Sequence, residues 1–243
     1  KEQTPQEELH VYLCFGQSNM EGSAPIEEQD TAYVDPRFQL LQAVDCPNLD
    51  RTAGHWYTAV PPLVSCNTGL SPADYFGRTL VENLPENIKV GVINVAIGGT
   101  DIDLFNEDKY EEYLATVEDW FANRVVEYDG NPYRRLMDLA KSAQAEGGII
   151  KGILLHQGET NNGDEAWPND VKIVYDRMLA ELNLEPNSIP LLVGETLYEE
   201  AGGCCALHNE VIATVPAVIP NAHVISAEGC PGIDNAHFTS EGY

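Results

Sequence analysis

Residues 13–22 read LCFGQSNMEG, and the change of character inside this stretch sets the reading of the whole chain. An apolar run, residues 11–15 (VYLCF), stops at Gly16, and Ser18 follows among Gln17, Asn19 and Glu21. A near-continuous apolar run suits a strand buried on both faces of a parallel sheet, where neither face meets water and alternation is lost. Ser18 is then either the cap of a following turn or a hydroxyl set at the carboxyl end of a buried strand.

Working outward, five runs share this pattern: residues 10–15, 89–96, 149–156, 189–195 and 222–227. Helical patterns separate them. Residues 71–84 open with Ser71 as N-cap and Pro72 at the first helical position. Residues 107–128 place Tyr110, Leu114, Val117 and Phe121 on one helical face, and residues 131–148 start with Asn-Pro and end in Gly147-Gly148. Residues 168–183 and 206–215 complete the set. Strands alternating with helices predict an α/β fold, a three-layer doubly wound sandwich with a central parallel sheet of about five strands, as a single domain over residues 1–243. The segment from Gly22 to Leu70 has no clear period, is too long for a plain connection, and is expected to lie over the site end of the sheet.

Composition narrows the function. Hydrophobic residues make up 43% of 243, enough for a sizeable core, and no apolar run approaches the ~20 residues of a membrane span. The formal net charge is −26, from 39 acidic residues against 13 Lys plus Arg. Such a surface repels phosphate backbones and anionic lipid, so neither nucleic acid nor membrane is an expected partner. Lys1 and the polar stretch KEQTPQEE predict a mature end after signal removal, and with it a secreted or periplasmic location, or else a trimmed chain. Cys14 reads as a buried thiol, while Cys46 with Cys66, and Cys204 or Cys205 with Cys230, are candidate loop staples.

In a doubly wound sheet, sites form where loops leave the carboxyl ends of the strands. Gln17, Ser18 and Asn19 follow the first run, and Gly98, Gly99 and Thr100 the second. Gln157, Glu159 and Asn161 follow the third, and Asp234 and His237 the last. Together they hold what acyl transfer needs. A serine hydroxyl is a weak nucleophile until an imidazole removes its proton, and the imidazole needs an acid to fix its tautomer. The developing oxyanion needs converging N–H donors. Ser18 is the candidate nucleophile, His237 the base and Asp234 its orienting acid, with donors from the Ser18 N–H, the Gly98-Gly99 turn and Gln157. Asn19 and Asn161 are candidate substrate contacts. His156 reads as a packed histidine. No H-x-x-x-H pair points to a metal, and the chemistry calls for no cofactor. The serine is not in a G-x-S-x-G elbow, since Met20 stands at the second glycine's place.

The blocks FGQSNMEG, NVAIGGTDI, GILLHQGETN and DNAHFTSEGY, in this order, resemble those of the SGNH hydrolase superfamily. Within it they are similar to the branch of sialate O-acetylesterases and carbohydrate esterase family six acetylxylan esterases, over residues 11 to 243. The resemblance implies Ser18 as nucleophile, His237 with Asp234 as the D-x-x-H block, and Gly99, or in another register Gly98, as the oxyanion glycine. Gln157 stands where many members carry an asparagine. Glu159, in the HQGE block, is a second candidate for the acid beside His237. The expected partner is an acetylated carbohydrate and the expected reaction de-O-acetylation through an acetyl-enzyme. A fold relative that binds carbohydrate without catalysis is the rival reading, and the complete Ser18–His237–carboxylate set argues against it.

For a carboxylated sugar an arginine clamp is expected. No Arg lies within the four blocks, and only Arg37 and Arg51 in the long segment are candidates, which tilts the expectation to a neutral acetylated sugar. The Trp56–Tyr57 pair and Trp167 are candidates for sugar stacking, with packing as the alternative role.

Overall fold

Strand β1 (Glu8–Gly16) lies at the middle of a seven-stranded sheet of order β3-β2-β4-β1-β5-β6-β7. A computed structural model describes residues 6–243; the polar chain start expected from residues 1–5 lies outside the described residues. In chain order β1 is followed by α1 (Ser18–Glu21), α2 (Glu28–Ala32), β2 (Phe38–Leu41), β3 (Trp56–Thr58), α3 (Pro72–Asn83) and β4 (Ile88–Ala96). Then come α4 (Tyr110–Leu114), α5 (Asp119–Val126), α6 (Pro132–Ala145), β5 (Ile149–His156), α7 (Trp167–Glu181), β6 (Leu191–Gly194), α8 (His208–Ile212), α9 (Val215–Val218) and β7 (Ala222–Ile225). Every pairing is parallel except β2 with β3.

The register positions the site. Gly16 is opposite Ala96 on β4 and opposite His156 on β5, so the three central strands end level and their loops emerge side by side. Gly16 must be glycine because a Cβ there would stand 2.0 Å from the His156 carbonyl oxygen. Alternation along β1 sends Val11, Leu13 and Phe15 to one face and Cys14 to the other. The first face forms the larger core, with Ile93, Val95, Ile153 and Leu155 packed by Leu136 and Met137 of α6 and by Val171 and Tyr175 of α7.

The second face is covered unevenly. Helix α3, opened by a Ser71–Asp74 capping box with Pro72 inside it, packs Ala73 and Val81 over β2 and β4. Beyond it, toward β5, β6 and β7, Leu154, Leu192, Gly194 and Ile225 line an open groove of about 450 Å³ with Phe76 and Leu80. The expected third layer is therefore thin and one-sided.

Two strands escaped the sequence pattern. β2 and β3, four and three residues long, lie inside the long segment. They extend the sheet at the β4 edge instead of roofing the site, and they are too short to show a period. The expected helix over 107–128 is broken into α4 and α5: Thr116 turns its hydroxyl onto the Tyr113 carbonyl at 2.7 Å, and Glu118 sits in an extended conformation. Tyr110 and Phe121 stay buried, so the apolar stripe survives the break. The expected helix over 206–215 stops at Ile212, and α9 restarts with Pro216 in its first turn, where the missing N–H does least harm. Among the described residues no helix is long and apolar enough to cross a membrane.

Cys46 and Cys66 are disulfide-bonded, closing a loop of sequence separation 20. The second staple differs from expectation: Cys204 bonds its neighbour Cys205, and Cys230 is a free thiol. Cys14 is a buried thiol whose pKa is raised by burial.

Helix α3 touches the sheet closely because Gly77 lets the Phe38 ring in; a Cβ at 77 would meet Phe38 Cε2 at 2.0 Å. Gly77→Val is therefore expected to destabilise the fold by about 1–3 kcal/mol, seen as a lower urea midpoint at unchanged slope. Adding Phe38→Leu should recover part of the loss, and no recovery would place the strain elsewhere.

Candidate active site

The chain leaves β1 at Gly16, the Gln17 N–H donates to the His156 carbonyl at 3.0 Å, and the single turn α1 begins at Ser18. Ser18 Oγ lies 2.8 Å from His237 Nε2. His237 arrives from the loop after β7, and its Nδ1 lies 2.8 Å from Asp234 Oδ2. Asp234 also folds this loop: its Oδ1 accepts the backbone N–H groups of Ala236 and His237, each at 2.8 Å. A carboxylate on Nδ1 puts the ring proton there and leaves the Nε2 lone pair to face the serine O–H. Burial works to raise the Asp234 pKa, but the His237 ring and the two N–H groups outweigh it and hold the carboxyl at about 2.

What sets the Ser18–His237 distance is the next residue. Asn19 is fully buried. Its Nδ2 donates to the Ala236 carbonyl at 2.9 Å and to Glu159 Oε1 at 2.7 Å. Its Oδ1 accepts from the Phe238 N–H at 3.4 Å and from the Tyr243 hydroxyl at 2.6 Å. One side chain thus grips the backbone on both sides of His237. Asn19 is a strut within the protein rather than the substrate contact expected of it.

Glu159 does not reach His237 in this arrangement. Its Oε1 is committed to Asn19 and lies 3.7 Å from His156 Nδ1. His156 is packed as expected, with Nε2 at 2.9 Å from the Glu195 carbonyl and its ring edge-on to Phe238. Of the two carboxylates weighed for His237, geometry pairs it with Asp234.

Gln157 also departs from expectation. It is fully buried, its Nε2 donates to the Thr100 carbonyl at 3.0 Å and to Asn161 Oδ1 at 2.7 Å, and its Oε1 accepts from Trp167 Nε1. No amide hydrogen is left to point at Ser18. Asn161 completes that knot, accepting from the Ile102 N–H at 3.1 Å and donating to Asp101 Oδ2 at 2.9 Å, so it too is a strut. Gln17, noted in the sequence after the first run but given no role there, accepts from the Gly158 and Thr160 N–H groups at 3.2 and 3.3 Å and pins the loop after β5.

On the opposite side of Ser18 stands the Gly98–Gly99 turn. The Gly98 N–H is taken by Glu21 Oε2 at 2.9 Å, and Glu21 Oε1 forms an ion pair with Arg124 of α5. Burial raises the Glu21 pKa, opposed by Arg124 and by the Gly98 N–H. Gly99 has φ +79°, a conformation that favours glycine, and it is exposed. Neither the Ser18 nor the Gly99 N–H donates to another group among the described residues. A Cβ on Gly98 would stand 3.4 Å from Ser18 Cβ, so the turn that carries the Gly99 N–H lies against the serine.

The candidate cations are occupied elsewhere. Arg37 pairs with Asp35 and donates to the Val81 carbonyl, at the amino end of β2. Arg51 is buried and donates to the Val60 and Pro62 carbonyls. Trp167 is fully buried under Gln157, and Trp56 bonds Glu146 on the sheet edge, so both serve packing. Beside the His237 loop runs a groove of about 740 Å³ bordered by Glu27, Asp30 and Glu241 together with Tyr75, Ile233 and Tyr243.

Comparisons with known proteins bear on the family and the fold. The family model described as carbohydrate esterase, sialic acid-specific acetylesterase, matches residues 8–243. A protein of Arabidopsis thaliana named a "probable carbohydrate esterase" is 23% identical over 98% of this chain and 87% of its own length. The crystal structure of an Arabidopsis thaliana protein superposes with a TM-score of 0.69 at 21% identity, covering 96% of this chain and 92% of that one. The crystal structure of a carbohydrate acetylesterase from Xanthomonas citri gives a TM-score of 0.61 at 19% identity, covering 96% of this chain and 52% of that one. At these identities the two structures speak for the fold.

The low Asp234 pKa has a consequence for stability. A carboxyl depressed from its ordinary value near 3.8 to about 2 stabilises the fold above pH ~4 and loses that contribution as pH falls through about 2. The stability gap between the intact chain and Asp234→Asn is thus expected to be widest above pH ~4 and to close toward pH ~2. Urea melts across that range test it; a gap independent of pH would contradict the pairing.

Proposed function

The chain belongs to the carbohydrate esterase, sialic acid-specific acetylesterase family and is a carboxylic ester hydrolase; from that premise we propose that it removes O-acetyl groups from a neutral acetylated saccharide through a Ser18 acetyl-enzyme. The observation that carries this reading is the unbroken line Ser18 Oγ–His237 Nε2, His237 Nδ1–Asp234 Oδ2, each link 2.8 Å.

In this reading Ser18 Oγ attacks the acetyl carbonyl while His237 Nε2 accepts its proton, and Asp234 stabilises the imidazolium that forms. The tetrahedral oxyanion is held by the Ser18 and Gly99 N–H groups. Collapse expels the sugar alkoxide, which takes the proton from His237. Water, deprotonated by the same imidazole, then releases acetate and restores Ser18. Glu159 acts on the Ser18–His237 distance through Asn19, and Gln157 acts by holding the Thr100 loop.

Support for a neutral sugar comes from charge. Arg37 and Arg51 point their guanidinium groups at backbone carbonyls away from the serine, and the groove beside the His237 loop is edged by three carboxylates. A carboxylated sugar would meet repulsion there, with neither Arg37 nor Arg51 to offset it. The Cys46–Cys66 disulfide favours an oxidising, extracytoplasmic location.

Ser18→Ala is expected to lower acetate release by at least ~10³-fold with the fold intact. Asp234→Asn should lose on the order of 10³–10⁴-fold in kcat and Glu159→Gln far less, because only the former strips the ring of its partner. Equal losses would return the acid's role to doubt. Acetate release from methyl 2,3-di-O-acetyl-β-xylopyranoside, acetylated xylan and O-acetylsialic acid, compared by kcat/KM, tests the substrate class; preference for O-acetylsialic acid would overturn the neutral-sugar reading.

A further inference from the structure

Next to the Gly98–Gly99 turn stands one large side chain that the chemistry above does not use. Trp120, the second residue of α5, is 55% exposed. A single exposed aromatic is ordinary on a protein surface. This one is fixed in place and placed at the site. Its Nε1 donates to Glu118 Oε2 at 2.8 Å, and its ring meets Phe121 edge-on, with centroids 5.6 Å apart and planes at 82°. Phe121 is itself buried and packs edge-on against Tyr113. The Tyr113 hydroxyl accepts the Asp101 N–H at 3.2 Å, in the loop that leaves Gly99. The exposed indole therefore rests on an aromatic stack anchored to the same loop.

Position supplies the second argument. The ring atom Cη2 lies 3.7 Å from where a Cβ on Gly99 would stand. Gly99 carries none, and no other atom outside the turn comes within 4 Å of that position, so the bare glycine and the indole border the same space. One helical turn further along α5, Arg124 reaches Glu21, which holds the Gly98 N–H. The same short helix thus sets both the turn and the ring. Because the indole N–H is already bonded to Glu118, what Trp120 offers a ligand is its π surface.

We propose that Trp120 is the stacking platform for the apolar C–H face of the acetylated pyranose whose ester is presented to Ser18. The inference rests on the proposed hydrolysis and deepens it. With the ester carbonyl oxygen at the Gly99 N–H, the sugar ring lies two bonds beyond the carbonyl carbon, within reach of the indole. The electron-rich ring face attracts the slightly positive C–H groups and excludes water from them. A simple ester with no ring has nothing to set on the platform.

The test is a ratio: kcat/KM for methyl 2,3-di-O-acetyl-β-xylopyranoside divided by kcat/KM for methyl acetate. Trp120→Ala is expected to lower this ratio about 3- to 10-fold, chiefly through KM for the sugar ester, the range an aromatic stacking contact commands. Trp120→Phe should recover part of it. Ile173→Ala, which removes an equally ordinary exposed apolar residue from α7, should leave the ratio alone. An unchanged ratio in Trp120→Ala, or an equal fall in Ile173→Ala, overturns the platform. Should the intact chain release acetate from neither ester, the hydrolase reading fails on its own. Calorimetric titration of methyl β-xylopyranoside into the intact chain and into Trp120→Ala then still decides: weaker binding by the variant supports the platform, and equal binding overturns it.

Discussion

Asn19 is the constraint on which the rest of the site depends. The Ser18 hydroxyl and the His237 imidazole are 219 residues apart in the chain, and their hydrogen bond alone would not hold a loop that long. A buried amide with no water to satisfy it must find partners inside the protein. The partners of Asn19 are the backbone groups flanking His237, the Tyr243 hydroxyl and the Glu159 carboxylate. Because Asn19 adjoins Ser18 on the same turn, closing this network brings Ser18 and His237 to 2.8 Å as a by-product of satisfying an amide. The site is shaped from beneath, by hydrogen-bond accounting in the interior, before any ligand arrives.

The sheet supplies the other half of that shaping. Level ends of β4, β1 and β5 put three loops on one edge, and the close approach of Gly16 to the His156 carbonyl locks their offset. Gln17, Gln157 and Asn161 then knit the loops to one another with side-chain amides. These bonds tie the three loops into one edge, on which the candidate site stands.

Much of this was legible in the sequence because the central strands are apolar on both faces and the residues gathered at the candidate site fall just past their ends. Asp234 and His237 sit three apart, a spacing one turn can close, and the structure shows that turn. What stayed hidden was orientation. Asn19, Asn161 and Gln157 are polar residues beside a serine, and residue type alone does not say whether an amide faces ligand or interior; their burial does. β2 and β3 are shorter than the window in which a period shows. Trp120 fell within an expected continuous helix, and only the break at Thr116 and Glu118 turns it toward Gly99. The pairing of Cys204 with its neighbour rather than with Cys230 was not readable from the spacing of the cysteines.

The Glu21–Arg124 ion pair gives the turn beside Ser18 an unusual dependence. Gly98 and Gly99 have no side chains through which to be held, so the lever on them is a carboxylate whose partner sits on the rim, with the Arg124 side chain 31% exposed. Mobile ions reach the Arg124 end of the pair, while its Glu21 end, with a side chain 10% exposed, and the fully buried Asn19 are shielded from them. Salt therefore has one handle on the Gly98–Gly99 turn, the Arg124 guanidinium, and none on the Asn19 amide beneath.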